Sequence, residues 1–323
     1  MEVFDTSLNV AILGTGKIGT DLLIKISRSE HLECTLFAGR NYGSTGMRKA
    51  EELGVPTSDG GIDAILAHAH EIDVVFDATS ADHHRAHAPQ LAAAGIKAVD
   101  LTPAKVGPYC IPSLTGNSLE RDDNINMVTC GGQATIPMLE AIVKAFPEAS
   151  AIDVKTLVTP DSVGPATFAN IDDYKATTSN AIYKHTGINN AQIELEVDED
   201  ESRDKMSSIL SIRLANCDLR KLDLVMQKRE ALMQEYVPGY HISAEPHHQD
   251  GVLTVEISVK GTGDWIPSHA GNLDIITCAA IEAVERYAVQ STAAPKTFWA
   301  KTMNFIKKYS EPKTALKVGQ AES

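Results

Sequence analysis

Two stretches of this chain carry reactive residue types at the spacing that chemistry requires. The first is Asn126-Met127-Val128-Thr129-Cys130-Gly131-Gly132-Gln133-Ala134-Thr135-Ile136-Pro137, where a thiol stands between an extended segment and a helical pattern. A cysteine just before a helix N-terminus meets unpaired N–H groups and the positive end of the helix dipole. Both favour thiolate, and so a nucleophile. A buried small hydrophobe is the alternative reading of the same residue. Gly131 and Gly132 let the backbone turn tightly and let a substrate approach those N–H groups.

The second stretch is Gly14-Thr15-Gly16-Lys17-Ile18-Gly19, a G-x-G-x-x-G run directly after the apolar segment Asn9–Leu13 and opening a helical pattern. In that context the glycines serve a tight turn, close approach of a pyrophosphate and helix–strand packing, so these six residues are assigned to a dinucleotide. The second strand then ends Ala38-Gly39-Arg40-Asn41, without the carboxylate that ordinarily holds the adenosine ribose. Arg40 is instead suited to a 2′-phosphate, which leaves NAD and NADP both open at this position. A further run, Ser162-Val163-Gly164-Pro165-Ala166-Thr167-Phe168-Ala169-Asn170, follows a strand and precedes a helix starting near Ile171. It is placed around the nicotinamide or the acyl site, with Asn170 as a plain helix cap on the simpler reading. Asn272, opening the last helix, is either a partner of the nicotinamide carboxamide or an N-cap.

The histidines are read as follows. His83 and His87 lie i, i+4 on a helix, but the glutamate of a zinc-protease helix is missing and no third ligand is evident, so no metal is expected. His247-His248 reads as loop. His269, near Asn272, is a candidate proton shuttle.

The elements that position these groups come in two patterns. Strands at Asn9–Leu13, 32–38, Asp73–Asp77 and 97–101 alternate with helical stretches at 18–26, 47–53 and 81–94, which implies a parallel sheet with right-handed crossovers. After Cys130 come a helix at about 134–146 and strands at 151–159, 207–214, 241–244 and 252–260. These alternate apolar and polar residues, as an antiparallel sheet with one wet face does. The fold class is α/β: a Rossmann-type domain over 1–129, closed by a C-terminal helix at 271–290, and a second α+β, mostly antiparallel domain over 130–270. Residues 291–323 form an extension with six lysines against two glutamates.

A net charge of −14 argues against nucleic acid as a partner. Five scattered cysteines without a C-x-x-C pair point to a reducing compartment. No signal-peptide layout and no apolar run of about 18 residues is present, so a cytoplasmic protein that does not span a membrane is expected.

Taken together, these stretches resemble the bacterial acylating acetaldehyde dehydrogenases that partner 4-hydroxy-2-oxovalerate aldolases in aromatic degradation. The stretches that carry the resemblance run in order over about residues 8–290: Phe76-Asp77-Ala78-Thr79-Ser80-Ala81, Asp100-Leu101-Thr102-Pro103-Ala104, Gly107-Pro108-Tyr109-Cys110, Asn126 to Met138, Ala169-Asn170-Ile171-Asp172, Tyr236-Val237-Pro238-Gly239-Tyr240 and Ala270 to Ile275. The resemblance implies a semialdehyde-dehydrogenase-like fold and NAD as cofactor. It further implies coenzyme A as co-substrate, a short-chain aldehyde, a homodimerising second domain and the aldolase as partner. By the same resemblance Cys130 is the acyl-thioester nucleophile, and Asp204 matches an acid that assists thiol activation. The chain departs from the family pattern at Ala166, Phe168 and His269, where Gly, Arg and Tyr are usual, and near Asn41, where an acid is usual. The rival readings are a phosphorylating semialdehyde dehydrogenase and a regulatory protein that binds NAD(P)H without chemistry.

Overall fold

The computed structural model describes residues 7–163, 170–198 and 205–293. Its first layer is a six-stranded, all-parallel sheet made of β1 (Leu8–Leu13), β2 (Leu32–Ala38), β3 (Thr57–Ser58), β4 (Val74–Asp77), β5 (Lys97–Asp100) and β6 (Asn124–Asn126). The strand order is β3-β2-β1-β4-β5-β6, which puts the switch point of a doubly wound sheet between β1 and β4. Helices α1 (Lys17–Ile26), α2 (Thr45–Glu52), α3 (Gly61–Ala67) and α4 (Ala81–Ala94) and the short α5 (Pro112–Thr115) make the connections. Apolar residues of β1 serve both faces: Val10 and Ile12 join one core cluster, Ala11 and Leu13 the other. This is why the strand reads as an unbroken apolar run.

The second layer begins with α6 (Cys130–Ala145), buried from Gly131 through Val143 and so apolar on nearly every side. There follow β7 (Ala151–Val158), α7 (Ile171–Thr186), β8 (Ala191–Val197), β9 (Met206–Arg213), α8 (Leu219–Gln234), β10 (Tyr240–Ile242), β11 (His247–Gln249), β12 (Val252–Val259) and α9 (Gly271–Ala293). The sheet order is β10-β12-β9-β7-β8, with β11 also on β12. Every pairing is antiparallel except β7 with β8.

The last helix comes back to the first layer. Lys25 of α1 donates to Asp274 Oδ1 (2.8 Å) and Thr277 Oγ1 (2.7 Å) of α9 and to Asp21 Oδ2 (2.5 Å). Burial works against the charge on Lys25, but the carboxylates of Asp274 and Asp21 and the Cys278 sulfur outweigh it and hold the ammonium firmly protonated.

Two expectations are corrected. His247-His248 is not loop but strand β11, joined to β12 by Asp250 and Gly251, both at positive φ (51° and 76°). That is the two-residue turn whose twist matches a hairpin. The helix expected from Ala134 begins at Cys130 instead, because the Thr129 hydroxyl caps it by accepting the Gly132 N–H at 2.9 Å.

Candidate active site

The chain delivers Cys130 through a strained turn. Val128, two residues before it, sits at φ 62°, a left-handed conformation that a β-branched side chain avoids and that costs about 1–3 kcal/mol. Buried side chains over-determine it. Asn126 Oδ1 accepts the Val128 N–H at 2.9 Å, while Asn126 Nδ2 donates to Asp100 Oδ2 (2.7 Å) and Thr102 O (2.9 Å). Gln133 Nε2 donates to the carbonyls of Met127 (2.8 Å) and Cys110 (2.7 Å), tying the first turn of α6 back to the strand.

Around the sulfur, the two glycines have a role the sequence did not reveal. A Cβ on Gly131 would lie 2.1 Å from the Tyr174 hydroxyl, and one on Gly132 would meet Val128 Cγ1 at 2.8 Å and Thr129 Oγ1 at 2.9 Å. Both spaces are filled by the protein's own side chains. The N–H groups are engaged as well: that of Gly132 by Thr129, that of Gly131 by the Cys130 sulfur. Tyr174, on α7 and buried, sets its hydroxyl against Cys130 and Thr129. Burial pushes the Cys130 thiol up; the Gly131 N–H and the Tyr174 hydroxyl pull it back without cancelling that. The resting group is therefore a thiol rather than the expected thiolate, because desolvation outweighs the helix terminus here. Burial and the neighbouring sulfur together raise Tyr174 well above its ordinary value, so its hydroxyl stays a donor.

Cys130 opens onto a cleft between the layers, shared with Ile18 of the glycine loop, Ser162, Val163, Asn170 and Asn272. The glycine loop itself divides its labour. Gly14 is at φ 118°, and a Cβ there would meet Ala78 O at 2.6 Å; a Cβ on Gly19 would meet Gly14 O at 1.8 Å; Gly16 faces open space. This is the turn, the close helix–strand contact and the room for a pyrophosphate, with Gly16 as N-cap of α1. Thr15 Oγ1 accepts from Ser44 Oγ at 3.1 Å. Lys17 Nζ donates to Asp161 O at 2.6 Å, and His269 Nε2 lies 2.7 Å from Asp161 Oδ2. Partial burial raises Asp161, but bonds from His269 and Thr159 and the charges of His269 and Lys17 carry it below the usual carboxylate value.

Asn272 is no cap. It lies inside α9, where its Nδ2 donates to Ser162 O at 3.1 Å. Its Oδ1 is buried without a partner among the described residues. An orphaned acceptor in the Cys130 cleft fits the amide N–H of a nicotinamide carboxamide, and Gly16 leaves the matching space at the phosphate end. Asn170 stands at the start of α7 without a side-chain cap bond. Gly164, Pro165, Ala166, Thr167, Phe168 and Ala169, and Asp204, lie outside the described residues, as does the extension from residue 294. Arg40 opens onto a second cleft at the far side of Gly14 and Thr15.

The buried histidines serve the sheet end. Asp77 Oδ2 bonds both His84 Nδ1 (2.9 Å) and His87 Nδ1 (2.8 Å), and His84 Nε2 lies 3.0 Å from Asn124 Nδ2. Among the described residues no group of three His, Cys, Asp or Glu side chains is placed to hold a metal ion.

A family model described as "Prokaryotic acetaldehyde dehydrogenase, dimerisation" matches residues 130–267, and one described as "Semialdehyde dehydrogenase, NAD binding domain" matches residues 9–121. A protein named acetaldehyde dehydrogenase from Spirochaeta aurantia is 44% identical over 281 residues, covering 87% of this chain and 95% of its own. This chain belongs to the acetaldehyde dehydrogenase family. Another member, from Pectobacterium atrosepticum, is 42% identical over 88% of this chain and 97% of its own. As an acetaldehyde dehydrogenase family member the chain is an oxidoreductase with a nicotinamide-dinucleotide-binding domain and a dimerisation domain. Solved structures share its fold. Aspartate semialdehyde dehydrogenase II of Vibrio cholerae, complexed with ASA, aligns with a TM-score of 0.58 at 12% identity, covering 89% of this chain and 99% of that one. Aspartate semialdehyde dehydrogenase of Candida albicans with NADP gives 0.61 at 13%, covering 88% and 99%. Within the described residues no helix is long and apolar enough to cross a membrane.

Proposed function

We propose that this chain oxidises a short-chain aldehyde, acetaldehyde or propanal, with a nicotinamide dinucleotide, and hands the acyl group to coenzyme A through a thioester on Cys130. The observation that carries this reading is a cleft lined by Cys130, Asn272 with its unpartnered oxygen and Ile18 of the glycine loop, which shares Ala78, Thr79 and Ser80 with the neighbouring cleft lined by Gly14 and Thr15. NAD is the form the family resemblance implies. Cys130 gives up its thiol proton to solvent, the one proton the overall oxidation releases, and adds through Sγ to the aldehyde carbonyl carbon. The Gly131 N–H and the Tyr174 hydroxyl, which face the sulfur at rest, are the donors at hand for the charge that then develops on the oxygen. A nicotinamide ring held in the cleft that Cys130 and Asn272 line would supply the hydride acceptor. Loss of the aldehyde hydrogen as hydride restores C=O and leaves the acyl group on Sγ. The coenzyme A thiol then attacks that carbonyl carbon, the Cys130–acyl bond breaks, and the Cys130 sulfur leaves as a thiolate that takes up the proton given up by the coenzyme A thiol.

Among the described residues the Cys130 cleft is lined by no Arg, Lys or His, which supports a thiol rather than a phosphate as the acyl acceptor. We divide the chain at 129/130, with α9 returning to the first domain, and assign 130–270 to a homodimer within an assembly with a 4-hydroxy-2-oxovalerate aldolase. Five free thiols support a cytoplasmic setting. The test is Cys130→Ala assayed with acetaldehyde, coenzyme A and dinucleotide. Acyl-CoA formation should vanish while dinucleotide binding persists; acyl-CoA at the wild-type rate removes Cys130 from the mechanism. Inorganic phosphate in place of coenzyme A should not support turnover.

A further inference from the structure

We infer that the adenosine end of the dinucleotide cleft is built for a 2′-phosphate, with Arg40 as its ligand and His83 as the side chain that aims Arg40. The inference rests on the dinucleotide reading above and chooses between the two forms of that cofactor.

The site lies in the second cleft, which continues from Gly14 and Thr15 to the ends of β2 and β3. In a doubly wound sheet the group at the end of β2 meets the adenosine ribose. A ribose diol is ordinarily held there by a carboxylate, which repels a phosphate. Here the strand ends in Gly39, then Arg40 and Asn41. Gly39 has no room for a side chain, since a Cβ would strike Thr15 Cγ2 at 2.5 Å. Asn41 is occupied: its Oδ1 accepts the Gly43 N–H at 2.9 Å and closes the local turn. The carboxylate at the end of neighbouring β4, Asp77, is fully buried and spent on Thr79, His84 and His87. Arg40 is left as the exposed side chain at the strand end.

Arg40 is also oriented. Its guanidinium lies 3.2 Å from His83 Nε2, and His83 Nδ1 lies 2.6 Å from Ser80 Oγ. A guanidinium only donates, so Nε2 accepts and Nδ1 carries the proton toward Ser80. Ser80 is the N-cap of α4, a 14-residue helix opening on the same cleft. The contact of Arg40 is thus a ring nitrogen rather than a carboxylate, which holds the guanidinium without neutralising it. A phosphate would take it over by bidentate bonding. Among the described residues that line this cleft with Arg40, His83 and His87 there is one carboxylate, Asp59. Asp59 is the group to which a plain ribose diol would turn, and the experiment separates the two.

Dissociation constants of the full-length protein for NADPH and NADH, and for the fragments 2′,5′-ADP and 5′-ADP, would be measured by calorimetry at about 0.15 M salt. One guanidinium–phosphate contact is worth roughly tenfold to a hundredfold in affinity. NADPH should therefore bind at least about tenfold tighter than NADH, and 2′,5′-ADP tighter than 5′-ADP. Arg40→Ala should collapse both ratios toward one, and His83→Ala should reduce them by a smaller factor. NADH binding as tightly as NADPH, or Arg40→Ala lowering both affinities equally, overturns the inference and leaves the dinucleotide reading standing. If neither form binds, the dinucleotide reading falls and this inference with it.

Discussion

Tyr174→Phe removes one oxygen atom and leaves the ring that α7 packs against α6. In the wild type that hydroxyl is a donor to the Cys130 sulfur, held protonated by burial. A hydrogen bond to a charged group contributes about 1.5–3 kcal/mol. Cys130 is partly open to the cleft, so the lower figure applies, equivalent to about one pH unit in the thiol midpoint at 1.36 kcal/mol per unit. The assay is inactivation by iodoacetamide as a function of pH, without aldehyde or cofactor. The wild-type midpoint should lie above that of an ordinary cysteine, because burial disfavours the thiolate. In Tyr174→Phe it should rise further, by about one pH unit. Below the midpoint the thiolate fraction then falls about tenfold, while the more basic sulfur gains about threefold in intrinsic reactivity, a net slowing of roughly three- to fourfold. A midpoint that stays put or falls, in a variant whose melting curve shows it folded, refutes the claim that Tyr174 holds the sulfur.

Gly131→Ala should act through the same oxygen. Its new methyl needs space 2.1 Å from the Tyr174 hydroxyl, so a loss of about 1–3 kcal/mol in denaturant melts is expected. The double variant Gly131→Ala/Tyr174→Phe should recover most of that, since the clashing oxygen is gone; additive losses would contradict the contact. His84 gives a pH signature. Burial alone would lower it, but the Asp77 bond and the charges of Asp100 and Asp77 raise it above 6.5. Its contribution is therefore complete below about pH 6.5 and lost as pH rises through the higher folded value. Wild type should exceed His84→Gln by about 2–3 kcal/mol at pH 6, the gap narrowing by pH 9. A pH-independent gap would contradict the charged pair.

What could be read from the sequence was local. The glycine fingerprint was legible because much of what its glycines answer to lies within one strand–turn–helix unit: Gly19 to the Gly14 carbonyl, and Gly14 to its own backbone angle, with the Ala78 carbonyl as a contact from outside. Alternating strands such as β9 and β12 were legible for the same reason. Other elements hid for physical reasons. Helix α8 is mostly polar and shows Leu219 and Leu224 to solvent, so its apolar stripe is broken. The start of α6 carries two glycines, poor helix formers that mask the capping signal of Thr129. The Asp250-Gly251 pair was a hairpin signal that went unread between polar residues. Tyr174 was out of reach altogether, for its role exists only once α7 packs beside a thiol 44 positions earlier.

The glycines after Cys130 show why a thiol motif is legible as a motif before it is legible as a mechanism. Open access for a substrate was one explanation for Gly131-Gly132, but the structure fills both positions with the Tyr174 hydroxyl and with Val128 and Thr129. The two residues exist so that α7 and the strained turn can close on the sulfur. Val128 pays in backbone strain for a side chain that Gly132 makes room for, and Asn126 and Gln133 fix the result through five buried hydrogen bonds. A looser turn would leave Cys130 more exposed and more readily ionised, yet without a fixed direction for its lone pair. This protein resolves the conflict toward geometry. The sulfur is held in one place, largely protonated at rest, with its donors already in position for the charge that arrives only when the reaction begins.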